Sequence, residues 1–265
     1  MADLKVLIVG CGVAGSAQAV WFARLGADVT VIERRPDLTG GGQQIDFRGP
    51  AIPLMDKMGI RDEIKAVITK EPGMQIVDTR GKTVAFFPTN QDGSSAQSFS
   101  SDYEIMRGDL VRVMCEANKG QERVRYLFDT TIESFTQDDV EDPNGKVHVC
   151  FADGRREDYD LVIGADGSGS KVRRLMLGPG VPDAVESQDF HFAFFSIASR
   201  PDDSYRWTIC LRPGRAVLVS RRDRPDLLRA YFMIDGDHPT LNAAYKSGDR
   251  EQLKQAWVEL FRGRG

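Results

Sequence analysis

Residues 5 to 35, "KVLIVGCGVAGSAQAVWFARLGADVTVIERR", constrain what this chain can fold into more than any other stretch. Lys5 to Val9 is a short apolar run rich in branched residues, the pattern of a buried parallel strand. It leads into Gly10, Cys11, Gly12, Val13, Ala14 and Gly15, a G-x-G-x-x-G turn. Gly10 permits a tight turn, Gly12 leaves room for close backbone approach, and Gly15 lets the next helix lie near the strand. Val13, Ala17, Val20 and Leu25 recur at helical spacing and predict one buried helix face. Gly26 stands where a left-handed cap would end that helix. A second strand, Asp28 to Ile32, stops at Glu33.

This strand, helix and strand give the turn a chemical meaning. The helix start turns unpaired N–H groups, those of Val13 and Ala14 among them, and a partial positive charge toward whatever lies over the glycines, which suits a diphosphate. A carboxylate at the tip of the second strand accepts hydrogen bonds from both ribose hydroxyls and repels a 2′-phosphate. Gly10, Gly12, Val13, Ala14, Gly15 and Glu33 are therefore candidates for an adenine-dinucleotide site that disfavours NADP. A packing turn without a ligand would account for the glycines but leaves Glu33 unexplained.

With 265 residues the chain is long enough for one or two domains with sizeable cores. Its content, 41% hydrophobic and 28% charged, is that of a globular protein, and a net charge of −4 gives no general attraction to nucleic acid or anionic membrane. The four cysteines, Cys11, Cys115, Cys150 and Cys210, are scattered without metal-ligand spacing, so neither a disulfide framework nor a metal site is expected. Cys11 sits at a helix start, where a redox thiol is conceivable, but the slot is one that small residues fill, and it reads as packing. No apolar signal core opens the chain, and no stretch reaches the length needed to cross a bilayer, so a cytoplasmic location is expected.

Farther along, Gly40 to Gly42 reads as a loop, Ala51 to Met58 as a short helix closed by Gly59, and "GMQIVDTRGKTVAFFP" as a hairpin around Arg80, Gly81 and Lys82. Residues 89 to 101 are polar and loop-like. Leu110, Val113, Met114 and Ala117 predict the buried face of a helix ended by Gly120. From Val124 the pattern turns to strands, read as an antiparallel meander inserted into the β-α-β frame, and Tyr159 to Ile163 is apolar again. Beyond Pro182 nearly everything reads as strand until one last helix, "DREQLKQAWVELF", with Ser247 as its expected cap.

The glycine turn, Glu33 with Arg34, the Arg107-Gly108-Asp109-Leu110 helix start and "DLVIGADGSGSKVR" (Asp160 to Arg173) together resemble the single-component FAD-dependent aromatic hydroxylases. These are the para-hydroxybenzoate hydroxylase-like monooxygenases, and the likeness is strongest to the tetracycline-modifying and secondary-metabolite branch. The second glycine motif, Gly164-Ala165-Asp166-Gly167 followed by Ser170, Val172 and Arg173, is the more specific of the two.

The resemblance implies an α/β fold: a Rossmann-like FAD-binding domain over 1–75 and 101–182, with the meander inserted, plus a mostly antiparallel β substrate domain over 76–100 and 183–265. It implies FAD as resident cofactor and NADPH or NADH as electron donor. It also implies the chemistry, in which reduced flavin captures O2 as a C4a-hydroperoxide that passes one oxygen to an aromatic or polyketide-like small molecule. Carried onto this chain, it sets Arg34 beside the adenosine, Arg107 on the flavin phosphates or ribityl chain, Asp46 against the flavin and Asp166 in the loop over the diphosphate. The residue types alone also allow solvated arginines at 34 and 107, a strand-end turn former at Asp46 and a plain turn residue at Asp166. No catalytic acid or base stands out; His148, His191 and His238 read as structural.

One family motif is absent: Gly-Asp-Ala-Ala followed by histidine and proline. The nearest string, Gly236-Asp237-His238-Pro239, comes too early and reads as a turn with no small-residue helix after it. The chain is therefore expected to be C-terminally incomplete relative to the family, as a fragment, a shortened protein, or half of a site completed by a second chain or a homodimer. A shortened fold with a ligand-binding or non-redox role is the alternative to a monooxygenase. An NAD-linked dehydrogenase is disfavoured, since neither the meander nor Gly-Ala-Asp-Gly has a place there. Phe190, Phe192 and Phe194 alternate along one strand and suit either an aromatic pocket or the inner face of a sheet.

Overall fold

The apolar run ending at the glycine turn forms β1 (Lys5–Val9), followed by α1 (Val13–Arg24) and β2 (Asp28–Ile32). Next come β3 (Gln44–Asp46), α2 (Ala51–Met58), α3 (Arg61–Val67), β4 (Gly73–Val77), β5 (Thr83–Pro88) and β6 (Glu104–Met106). α4 (Arg107–Glu116) leads to β7 (Val124–Leu127), β8 (Ile132–Gln137), β9 (Val147–Phe151), β10 (Arg156–Tyr159), β11 (Leu161–Gly164) and α5 (Lys171–Leu177). The remainder is β12 (Phe190–Ala198), β13 (Trp207–Arg212), β14 (Ala216–Arg224), β15 (Leu227–Asp235), α6 (Pro239–Ser247) and α7 (Arg250–Phe261). The structure, a computed structural model, describes residues 4–38, 42–89, 103–186, 188–212 and 216–262. Nearly all of the expected loop at 89–101 and most of the Gly40 to Gly42 run lie outside them. The chain divides into two units, Met1–Ile68 with Tyr103–Val185, and Thr69–Asp102 with Glu186–Gly265.

The first unit is built on a parallel sheet in the order β11-β1-β2-β7. Its central strands are apolar on both faces because both are covered. Val6, Ile8, Val29 and Val31 meet Ala19 of α1 and Val111 of α4, while Leu7, Val9 and Ile32 meet Ile132, Val149 and Phe151 of the meander and Val172 of α5. Each of these large side chains, once fully buried, contributes about 1.5–3 kcal/mol of apolar stabilisation. A third cluster joins α1, α2, α3 and α4 through Val20, Met55, Ile64 and Leu110.

Strand β7 corrects one expectation. The pattern assigns Val124–Leu127 to the meander, but this strand pairs parallel with β2, Val29 opposite Val124, and forms the edge of the first sheet. The meander is β8, β9 and β10. Alternation cannot distinguish a parallel edge strand from a meander strand, since both show one covered face. The apolar run from Tyr159 likewise divides between two sheets. Tyr159 ends β10 and Leu161 opens β11, and between them the Asp160 carboxylate accepts the Lys5 N–H at 2.7 Å and pairs with Lys146.

Two predicted helix faces also need trimming. Leu25 is half exposed and Ala117 is exposed, and each lies one residue past the end of its helix. Gly26 (φ +80°) and Gly59 (φ +64°) do close α1 and α2 in the left-handed conformation.

The second unit holds a six-stranded sheet, β12-β15-β14-β13-β4-β5, antiparallel throughout except where β4 runs parallel to β13. The predicted hairpin is β4 and β5, its turn held by Asp78, whose Oδ1 accepts from the N–H groups of Arg80 and Lys82 at 2.9 Å each. The single expected terminal helix is two. Pro239 starts α6, a position where a missing N–H costs nothing, and a helix therefore does follow Gly236 and Asp237. Ser247 ends α6, and the cap of α7 is Asp249, which accepts from the N–H groups of Glu251 and Gln252. Both helices cover Phe232 and Ile234 with Leu241, Ala244 and Trp257.

On the opposite face of this sheet, Arg221 and Glu71 form an ion pair at 3.2 Å with side chains only 9% and 3% exposed, and the guanidinium lies 4.2 Å over the Trp207 ring. Removing one partner of a buried pair takes that compensation away from the other charge. Glu71→Ala is expected to lower unfolding free energy by about 3–5 kcal/mol, measured by urea titration. On the meander, His148 is raised above its ordinary 6.5 by hydrogen bonds to Asp158 first and Asp138 second. Its contribution to stability is complete below the unfolded value and lost as pH rises through the folded one. An NMR titration should place His148 above 6.5, and Asp158→Asn should bring it down.

Candidate functional site

The glycine turn is shaped by backbone contacts that no side chain would permit. A Cβ at Gly10 (φ +105°) would lie 2.6 Å from the Ala165 carbonyl oxygen, and one at Gly15 would lie 1.9 Å from the Gly10 carbonyl oxygen. The first contact seats the turn against the end of β11, where Ala165 N–H donates to Val9 O at 2.8 Å; the second seats α1 against the turn. Gly12 stands just before α1 with an extended backbone and gives no side-chain cap; the first helical turn also has no acidic residue. The start of α1, where Val13 and Ala14 stand, thus keeps its positive end uncompensated.

Two charged side chains flank this helix start. Glu33, at the tip of β2, accepts the Cys11 N–H on Oε2 at 3.0 Å and the Arg35 N–H on Oε1 at 3.1 Å. Each carboxylate oxygen keeps further acceptor capacity. Arg107 opens α4, and its N–H donates to Gln43 O at 2.9 Å. Its side chain runs under Gly42, and its Nη2 would stand 3.3 Å from a Cβ at Gly12. The Arg107 side chain is exposed and, among the described residues, makes no hydrogen bond or ion pair. Uncapped amides, an exposed guanidinium and a carboxylate at one turn form a cradle that fits the diphosphate and ribose of a dinucleotide.

The other expected site residues are placed less directly. Arg34 follows Glu33 and is exposed. Asp46 ends β3, and its Oδ2 pairs with Arg48 at 2.9 Å. Asp166 commits its carboxylate to α5: Oδ1 accepts from the Ser170 hydroxyl, and Oδ2 from the N–H groups of Lys171 and Val172. Ser170 in turn caps α5 by accepting from Arg173 N–H at 2.9 Å. This fixes the Gly-Ala-Asp-Gly turn against Gly10. Gln44 is a residue that the pattern does not single out. It is buried on β3, and among the described residues both ends of its carboxamide lack a hydrogen-bond partner, which suits a ligand edge carrying a donor beside an acceptor. Nothing in the string "GQQID" marks it. Cys11 is buried, as a packing residue would be, and its sulfur also lies 3.6 Å from that of Cys115. His148 is paired with aspartates on the meander, and His191 stacks edge-on against His238 in the second unit. Among the described residues no cluster of metal-ligating side chains occurs and no helix is long and apolar enough to cross a membrane.

Residues 3–234 match the model of the FAD binding domain family. The chain belongs to that family. It is 41% identical over 263 residues to the flavin-dependent monooxygenase eupH of a Phoma species, covering 99% of this chain and 60% of that protein. It is 42% identical over 269 residues to the FAD-dependent monooxygenase asL4 of Sarocladium schorii, covering 100% of this chain and 61% of that one. Among solved structures it is similar to the tetracycline destructase Tet(55), with a TM-score of 0.76 and 26% identity over 100% of this chain and 63% of the other. The chain therefore spans about three fifths of the length of these relatives. The α/β architecture and FAD as cofactor stand with the family.

Glycine substitutions test the cradle's geometry. Gly15→Ala must push the Gly10 carbonyl aside and is expected to destabilise the fold by about 1–3 kcal/mol. Gly12→Ala meets only the flexible tip of Arg107 and should stay within about 0.5 kcal/mol of the parent in the same thermal unfolding experiment.

Proposed function

We propose that this chain forms the FAD-holding and substrate-facing part of a flavin-dependent monooxygenase that acts on an aromatic or polyketide-like small molecule with NADPH or NADH and O2. The observation that carries this reading is the uncapped start of α1 set between Arg107 and Glu33. FAD, when bound, supplies the redox and oxygen chemistry. The chain's own residues bind and orient. Gly12, Val13 and Ala14 offer amides to the diphosphate, Gly10 and Gly15 give the turn its shape, and Arg107 pairs with a phosphate or the ribityl chain. Glu33 accepts the ribose hydroxyls. Arg34, exposed beside it, lies along the adenosine. Asp166 acts through the turn that it anchors to α5, and Asp46 and Gln44 on β3 face the flavin end.

The substrate class is supported by the second unit. Phe190, Phe192 and Phe194 project from one face of β12 and are 42%, 50% and 49% exposed. Phe192 and Phe194 stack with centroids 5.6 Å apart and planes 4° from parallel, and Tyr231 meets Phe194 edge-on at 5.2 Å. A flat row of rings of this kind favours a flat, apolar substrate. No side chain of this site needs to act as acid or base for such a reaction, and the histidines are engaged elsewhere.

Mixed with FAD, the chain should give the visible spectrum of a bound flavin, and calorimetry should show saturable uptake. Glu33→Arg reverses the charge facing the ribose and is expected to weaken FAD binding by about 10- to 100-fold. Arg107→Ala should weaken it by about tenfold. Unchanged FAD affinity in both variants would refute the assignment of this cradle.

A further inference from the structure

The Cys11 and Cys115 sulfurs are in contact at 3.6 Å, although 104 residues separate them in sequence. Cys11 stands between Gly10 and Gly12, and Cys115 lies in the last turn of α4, the helix that Arg107 opens. The pair is chemically uneven. The Cys115 thiol is half-buried and held below its ordinary range first by the contact with Cys11 and then by the Tyr126 hydroxyl; Tyr126 is itself fixed by Asn118 Nδ2 at 3.0 Å. The Cys11 thiol is pushed upward by the same contact, by burial and by the nearby Glu33. Such asymmetry suits one attacking and one resolving thiol.

We propose that Cys11 and Cys115 form a peroxide-oxidised modification site whose disulfide ties the dinucleotide-binding turn to α4. Cys115 as thiolate attacks one oxygen of hydrogen peroxide; an S–O bond forms, the O–O bond breaks, and one water leaves after protonation. The Cys11 thiol then attacks the sulfenic sulfur, the S–S bond forms, and a second water leaves. The two thiols lose two electrons and the peroxide gains them. Closing the gap from 3.6 Å to about 2.05 Å draws Cys11 toward α4 and strains the hydrogen bond between its N–H and Glu33 Oε2. The disulfide accordingly weakens dinucleotide binding. That last step rests on the proposed FAD cradle, whereas formation of the disulfide does not.

The test is to treat the apo chain with hydrogen peroxide and map its peptides without reduction. The expected result is a Cys11–Cys115 linked peptide, a mass loss of about 2 Da, reversal by dithiothreitol, and no link in Cys115→Ser. A variant with Cys150 and Cys210 both changed to serine keeps the result free of the other two thiols and should still link. Oxidised chain should show a several-fold higher FAD dissociation constant than reduced chain, restored on reduction. Absence of the linked peptide, or a link through Cys150 instead, would overturn the site. A linked peptide with unchanged FAD affinity would overturn its coupling to the cradle, while failure of reduced chain to take up FAD would count against the cradle alone.

Discussion

Everything in the first unit converges on the unpaired amides at the start of α1. A helix start left without a side-chain cap is ordinarily a liability, since its N–H groups and partial charge go unanswered. Here the liability is held in place. Gly15 presses α1 to within contact of the Gly10 carbonyl, and Gly10 is pinned against Ala165. Asp166 and Ser170 spend their side chains on the start of α5, so neither caps α1. The contrast between the two helix starts, one capped and one open, separates scaffold from site.

Burial on both sides of the sheet explains why this open end can be so exact. β1 alternates its side chains between α1 with α4 on one face and the meander with α5 on the other, and so the position of its last residue, Val9, is determined from both directions. The turn inherits that rigidity. Glu33 arrives at the same place by the same means, one step past β2, which pairs with β1 residue for residue from Lys5 and Asp28 onward.

Much of this is legible in the sequence because it depends on local rules. The spacing of Gly10, Gly12 and Gly15, the branched run before them and the carboxylate after β2 each follow from short-range sterics. The place of β7 is not legible, since its pairing with β2 joins residues nearly a hundred positions apart. The division of Tyr159 and Leu161 between two sheets depends on Asp160 reaching back to Lys5. Pro239 reads as the end of a turn, and its tolerance at a helix start makes it equally a beginning. The contact between Cys11 and Cys115, and the burial of the Gln44 carboxamide without a partner among the described residues, arise from long-range packing that leaves no periodic trace. The most specific part of the family resemblance is Gly164 to Arg173, and the structure shows the physical content of that motif: Gly164 must be bare because Val172 lies 2.9 Å from where its Cβ would be.

In the proposed function the cradle holds the adenosine diphosphate end of the cofactor. Competition against bound FAD tests it most directly, with ADP and FMN as two overlapping parts of the molecule that share one of its phosphates. ADP is expected to displace FAD at concentrations where FMN has little effect, since in the proposed cradle the amides of α1, Arg107 and Glu33 read phosphate and adenosine ribose. Displacement by FMN with no response to ADP would contradict it.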